Sequence, residues 1–445
     1  MANFRRKQPS RRPQKPAHEE PPVLGQVEIV VERVGARGDG LALSHGARLY
    51  VPQSLPGDQM MVKFGARRAD GWEAVPVALV GEAPGRAEPP CKHFGTCGGC
   101  VVQHMGPEVY AAWKLDTLRT ILGRNGLLDG VTIHPMVTTP PEARRRAVMT
   151  AVRRGKRLWL GFNERASHRL IDMEHCPVLL PSLVAAAQAL RPLLAQLLTQ
   201  DGQQCDVALT QLDDGVEVVL EGIPEPKLSE LEMLSAFAEA QDLARLAWRR
   251  KAGAPAEPIA LRRTGLVSFG TVTVSPAPGA FLQASRQGEQ ALASLALSGI
   301  GEAKVVADLF AGSGTLTFPL ATKAKVHAVE GEETAVRTLE GGAKQLPVGQ
   351  VTVERRDLFR DPLVPYDLNR FDAVVFDPPR AGAEAQAAEI AKSTVPTVVA
   401  VSCNPTSFAR DAQALLAGGF RLMEVTPVDQ FLWSAHLELV GVFRR

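Results

Sequence analysis

Cysteine is scarce in this chain, with 6 in 445 residues. They are too few and too unevenly placed for a disulfide framework. No run of about 18 apolar residues occurs, which excludes a spanning helix. The basic residues near the start are not followed by an apolar stretch, so no secretory signal is expected. No internal repeat is evident. Net charge is nearly absent as well: 50 basic side chains oppose 48 acidic ones, for a total of +2. On its face this balance argues against a nucleic-acid partner. It is an average, however, and local clusters decide whether phosphate is attracted.

A hydrophobic share of 45% excludes disorder across the whole chain. At roughly 150 residues per domain, the length suggests about three domains. Residues 1–20 read as a disordered basic tail, with Arg5, Arg6, Lys7, Arg11, Arg12 and Lys15 preceding any acid. The tail and the missing signal together make cytoplasmic residence the expectation. Residues 21–84 carry short β-branched runs separated by turns such as Gly35-Ala36-Arg37-Gly38-Asp39-Gly40. That rhythm predicts a small closed barrel of the OB type, an architecture that often binds single-stranded nucleic acid.

Residues 85–270 form a mixed α+β region. It opens with Cys91, Cys97 and Cys100 in C-x5-C-x2-C spacing, joined much later by Cys176 in His175-Cys176-Pro177. The four suit tetrahedral zinc or an iron–sulfur cluster equally well. A helix is expected from Pro107 to about Asn125. Next comes a hairpin with seven Arg or Lys among residues 144–157. Such runs are usually solvated faces; the alternative is a phosphate-attracting patch. Cys205 is a spectator at the edge of a probable strand.

Residues 271–445 alternate strands with helices, predicting an α/β, doubly wound sheet that ends in an antiparallel hairpin. Its chemistry-bearing groups fall just after strands. Asp308-Leu309-Phe310-Ala311-Gly312-Ser313-Gly314 is a glycine-rich turn that lets a ligand approach the backbone. Glu330 ends the next strand, where a carboxylate can accept from both ribose hydroxyls. Phe318 occupies the place of a third glycine, leaving no room for a pyrophosphate. S-adenosylmethionine therefore fits better than a dinucleotide. Asp377-Pro378-Pro379-Arg380 and Ser402-Cys403-Asn404-Pro405 end two further strands. Cys403 is read as a nucleophile whose site should lower its pKa. His436 and Glu438, two apart on the last strand, are expected to share a face, with Glu438 as a general base.

Taken with Gly161-Phe162, Phe281-Leu282-Gln283 and His436-Leu437-Glu438, these motifs make the chain resemble RNA 5-methyluridine (uracil-C5) methyltransferases. The resemblance runs from about residue 21 to the C-terminus. It is nearest to the type with a TRAM domain and a [4Fe–4S] cluster that acts on 23S ribosomal RNA. It implies a TRAM barrel, a central iron–sulfur domain and a C-terminal class I methyltransferase domain. It further implies Cys91, Cys97, Cys100 and Cys176 as cluster ligands. Gln283, Phe310, Gly312, Glu330, Asp357 and Asp377 would line the S-adenosylmethionine pocket. Cys403 would add to uracil C6 and Glu438 would remove the C5 proton. The expected partner is RNA, ribosomal rather than transfer RNA, with no membrane and a monomeric state. Ser285, Thr315 and Leu432 depart from the family's usual residues; the first two could retune cofactor affinity. Two other readings stay open: an RNA 5-methylcytosine methyltransferase and a catalytically silent RNA-binding assembly factor.

Overall fold

The computed structural model describes residues 21–22, 25–165 and 167–445; the basic tail read over residues 1–20 lies outside them. The chain forms two compact units, one running to Pro84 and the other Gly85–Arg445. The first holds a six-stranded sheet in the order Gln26–Val30, Gln59–Arg68, Gly71–Gly81, Ala47–Val51, Gly40–Ser44, Arg33–Val34. Alternation along Gln26–Val30 turns Val27 and Ile29 inward onto Leu49, Val51, Val62 and Trp72. Arginines stack on its aromatics: Arg68 lies 4.6 Å from the Tyr50 ring centre and Arg67 5.4 Å from that of Trp72.

The second unit contains two large sheets. A seven-stranded one runs Leu170–Asp172, Arg157–Asn163, Arg146–Arg154, Gln204–Leu212, Gly215–Glu221, Arg245–Arg249, Glu257–Leu261. Helix Pro181–Leu197 lays Leu183, Leu190 and Leu194 against Met149, Val207 and Leu220 of this sheet, and Cys205 is buried in the same core.

The nine-stranded sheet runs Val351–Arg355, Lys325–Glu330, Val305–Leu309, Ala373–Phe376, Thr397–Ser402, Glu438–Arg444, Arg421–Asp429, Thr132–Ile133. Val137–Thr138 also pairs with Arg421–Asp429. The first five strands are parallel, and Glu438–Arg444 runs antiparallel to Thr397–Ser402. Both faces are covered, which explains the near-continuous apolar runs. Val374 and Phe376 meet helices Pro107–Arg124 and Pro405–Ala417, whereas Ala373 and Val375 meet helix Arg286–Gly299.

Two sequence expectations need adjustment. Helix Pro107–Arg124 and the two strands at 132–138 fall within the region grouped with the cysteines. They nevertheless belong to this last sheet, burying Leu118 and Leu122 in its core and pairing along its open edge. The helix expected from Leu316 is only one turn, Thr317–Leu320. No helix among the described residues is long and apolar enough to cross a membrane.

Candidate active site

Parallel strands deliver their following residues to one edge of the sheet. Phe310 follows Val305–Leu309, Glu330 closes Lys325–Glu330, Asp377 follows Ala373–Phe376 and Cys403 follows Thr397–Ser402. The antiparallel strand brings its own beginning to the same edge. Ser402 pairs with Leu439, which sets Cys403 beside Glu438. His436 stands outside that strand on the preceding loop and is exposed, while Glu438 is buried. The expectation that both project from one strand face therefore fails.

Electrostatics at this edge run opposite to one expectation. Burial pushes the Cys403 thiol up to about 11; the Glu438 and Asp377 carboxylates add to the rise, and Arg380 opposes it. Without ligands the site protects the thiol rather than activating it. Burial likewise raises Glu438 to about 8, with Asp377 adding and Gln430 and Arg146 opposing. Burial raises Asp377 to about 7, and its bond from Gln283 opposes the shift. Uncompensated desolvation favours the neutral form of an acid, and three acidic groups here share little counter-charge.

The glycine-rich turn is shaped by Phe318, whose ring packs so tightly on Gly314 that a Cβ there would lie 2.2 Å away. Gly314 has φ 103°, so its missing side chain serves both the turn and the contact. Phe310 adopts a left-handed φ of 60°, uncommon for a bulky residue. Its ring lies 5.3 Å from that of Phe359, an aromatic partner the sequence reading missed. Glu330 accepts from the Gly312 amide at 2.9 Å and from the Gly331 and Glu332 amides at 2.7 Å. Asp357 caps its own turn by accepting from the Phe359 amide at 3.1 Å. Asp308 is wholly buried, takes a bond from the Thr317 hydroxyl at 2.6 Å and is pushed up to about 7 by burial. Ser285 is buried and caps helix Arg286–Gly299 by accepting from the Gly288 amide.

A cavity of about 860 Å³ opens in front of Cys403. Arg144, Arg146, Arg249 and Arg380 line it, together with Phe162, Phe281, Phe431 and His436. The basic run around the hairpin thus splits into two groups at opposite ends of strand Arg146–Arg154. Arg153, Arg154, Lys156 and Arg157 surround the turn. Arg144, Arg145 and Arg146 instead approach the site. Arg145 is buried against Glu289, Arg144 faces the Phe431 ring at 5.8 Å and Arg146 the Phe281 ring at 4.1 Å. A wholly solvated face is therefore the wrong reading for this end of the run.

Cys91, Cys97, Cys100 and Cys176 all line the same cavity. Burial raises the thiols of Cys97, Cys100 and Cys176, Cys100 to about 12, and neighbouring cysteines add to each rise. The four therefore line one cavity. Among the described residues, however, no group of three or more His, Cys, Asp or Glu has the arrangement to hold a metal ion. Four thiol donors lining one cavity match the chemistry of a thiolate-ligated metal, whereas a closed ligand set is not formed among the described residues.

The loop 430–437 is latched from below. Lys114 and Tyr110 both bond the buried Asp429, and Lys114 also bonds the His436 carbonyl. The Trp433 carbonyl accepts from the Val101 and Val102 amides, tying this loop to the segment after Cys100. None of Lys114, Asp429 or Gln430 was singled out from the sequence. The available signal was an Asp-Gln pair at the ligand edge, directly after the apolar Pro427-Val428.

A doubly wound sheet with this strand order, a glycine-rich first turn and an antiparallel final hairpin defines a class I methyltransferase fold. The Pyrococcus abyssi tRNA (uracil-54, C5)-methyltransferase, solved with S-adenosyl-L-homocysteine, shares it: TM-score 0.72 at 21% identity, covering 94% of this chain and 100% of that one. The family described as tRNA (Uracil-5-)-methyltransferase matches residues 297–445. The Halomonas elongata 23S rRNA (uracil(1939)-C(5))-methyltransferase RlmD is 33% identical, covering 93% of this chain and 88% of its own. An "Uncharacterized RNA methyltransferase" of Brucella suis is 41% identical, over 94% of this chain and 98% of its own. The chain belongs to the RNA uracil-C5 methyltransferase family.

Proposed function

We propose that this protein methylates C5 of a uridine in structured RNA, 23S ribosomal RNA being the substrate favoured by the Halomonas relative. The observation that carries the reading is the placement of the Cys403 thiol beside the Glu438 carboxyl at the ligand edge of the sheet. Uracil C5 is a poor nucleophile. Cys403 reacts as its thiolate, its proton having been given up; addition to C6 forms a C–S bond, opens the C5–C6 double bond and makes C5 enolate-like. S-adenosylmethionine supplies the methyl group that C5 then takes. Glu438 removes the C5 proton, the C–S bond breaks, and the C5–C6 double bond returns with Cys403 released.

Gln283, Phe310, Gly312, Glu330, Asp357 and Asp377 are the residues proposed to hold S-adenosylmethionine. The Glu330 carboxylate accepts three amides, which leaves about one of its roughly four acceptor sites, on Oε2, for a ribose hydroxyl. The arginines and exposed Phe281 ring of the cavity suit a nucleotide drawn out of its stack. The unit ending at Pro84 is proposed as a TRAM-type RNA-binding barrel, supported by its six-stranded sheet and Arg-aromatic pairs. We further propose that Cys91, Cys97, Cys100 and Cys176 close around a [4Fe–4S] cluster with a structural or RNA-positioning role. Iron and sulfide assays on anaerobically purified protein test this. About four of each per chain, with broad absorbance near 400 nm, supports it; stoichiometric zinc or no metal contradicts it.

Incubation with RNA and S-adenosylmethionine, followed by nucleoside mass spectrometry, tests the activity. 5-Methyluridine is expected. 5-Methylcytidine would move the protein to the alternative chemistry, and no methylated nucleoside would favour a silent binding role.

A further inference from the structure

We infer that Lys114 and Tyr110, on one face of helix Pro107–Arg124, are positioning residues: with Asp429 they hold loop 430–437 in place as a wall of the uridine pocket. This rests on the proposed reading of the cavity before Cys403 as that pocket.

Lys114 is 2% exposed and Asp429 0%, and charges so far from water need partners. Residues four apart share a helix face, so Tyr110 and Lys114 both reach Asp429 at the end of strand Arg421–Asp429. Lys114 Nζ donates to Asp429 Oδ1 at 2.9 Å, and the Tyr110 hydroxyl donates to Oδ2. The Asp429 carbonyl accepts from the Thr139 amide at 3.1 Å and from its hydroxyl at 2.9 Å. Every oxygen of Asp429 is thereby engaged.

The remaining bonds of the cluster go to the main chain of the loop. The Phe431 amide donates to Asp429 Oδ1 at 3.3 Å and the Trp433 amide to the Tyr110 hydroxyl oxygen at 3.0 Å. The His436 carbonyl accepts from Lys114 Nζ. Trp433 needs such a hold, because its φ of 58° is left-handed and costly for a bulky side chain. Its carbonyl is gripped in turn by the Val101 and Val102 amides, at 2.8 and 3.2 Å. Strained backbone persists where its surroundings over-determine it.

The residues fixed in this way face the cavity. Phe431 and His436 line it together with Cys403. Their rings meet edge to face with centres 5.9 Å apart, and Arg144 lies 5.8 Å from the Phe431 ring centre. Glu438 follows two residues after the bonded His436 carbonyl, so the same bond sets the entry of its strand. A buried ion pair often stabilises no more than apolar residues of its volume. Apolar side chains would fill this space without bonding the Phe431 amide or the His436 carbonyl. Position rather than stability is therefore what the charged cluster contributes.

The test is made on an RNA that the wild-type protein converts to methyluridine, with kcat and the KM for S-adenosylmethionine measured separately. Lys114→Met removes the bond to His436 but leaves Asp429 as an unpaired buried charge. It is therefore combined with Asp429→Asn, which restores neutrality and keeps an oxygen for the Phe431 amide. In this double variant kcat is expected to fall by about 10- to 100-fold, the worth of a hydrogen bond from a charged group. The cofactor KM should stay at the wild-type value, because Phe310, Glu330 and Asp357 come from the parallel strands. A purely structural pair would instead regain turnover once its charge is balanced. Tyr110→Phe removes one oxygen, releases the Trp433 amide and should lower kcat by about 3- to 10-fold, again with the cofactor KM unchanged. If the double variant does not fold, Tyr110→Phe decides on the same criteria. Wild-type kcat in either variant, or a rise in cofactor KM matching the loss of turnover, overturns the inference. Absence of methyluridine from the wild-type reaction overturns the functional reading itself, a result distinguishable because it precedes any variant.

Discussion

Cys403 directly follows strand Thr397–Ser402 where Glu438 begins the antiparallel neighbour, with Ser402 and Leu439 paired next to them. The proposed nucleophile and the proposed base thus come from segments 35 residues apart, joined by one register. A slip of one residue would turn Glu438 to the opposite face of the sheet. Burial of Val440 and Phe443 in the cores on the two faces holds that register.

The raised Cys403 thiol gives a first prediction. A thiol is inert while protonated, and with its pKa near 11 Cys403 is protonated throughout the neutral range. Iodoacetamide at pH 8 should label the Cys403 peptide roughly two orders of magnitude more slowly than a free cysteine of pKa about 8.5. S-adenosylmethionine carries a sulfonium charge that offsets the Asp377 and Glu438 carboxylates, so it should accelerate labelling more than neutral S-adenosylhomocysteine does. Equal effects of the two ligands would count against this electrostatic account.

Glu438 gives a second. Its folded pKa of about 8 lies above an unfolded value near 4.3. The folded state holds the proton more tightly, so this contribution to stability is full below about pH 4 and is lost as pH rises through about 8. Glu438→Gln mimics the protonated acid. Its melting temperature should exceed that of the wild type by a margin that widens from pH 5 to pH 9. A margin independent of pH, or a variant less stable at pH 9, contradicts the assignment.

Arg146 gives a third. It lines the cavity over Phe281, where burial and the adjacent Arg144 and Arg145 bring its pKa down to about 10. If it meets phosphate, Arg146→Gln should weaken RNA binding and reduce the slope of log affinity against log salt by about one. Weakened binding with an unchanged slope would mean that Arg146 acts on the base or on Phe281 alone.

The sheet and its ligand edge were legible because each motif directly follows an apolar strand, so its place follows from topology. Other features depend on contacts that local pattern does not carry. Arg145 reads as part of a solvated run, and its burial depends on Glu289, 144 residues away. Strands Thr132–Ile133 and Val137–Thr138 are too short to show a period. The direction of the Cys403 shift is set first by burial, and two carboxylates from distant parts of the chain add to it. Gln430 was overlooked because a polar residue after a strand ordinarily marks a turn; its burial and its bonds with Ala284 and Gln283 set it apart.

The central claim is covalent catalysis by Cys403 with release through Glu438, and trapping tests it most directly. Glu438→Gln, incubated with RNA and S-adenosylmethionine, should yield a protein–RNA band that survives denaturing electrophoresis and disappears when Cys403→Ala is added. Absence of that band, under conditions where the wild-type protein forms methyluridine, would contradict the account.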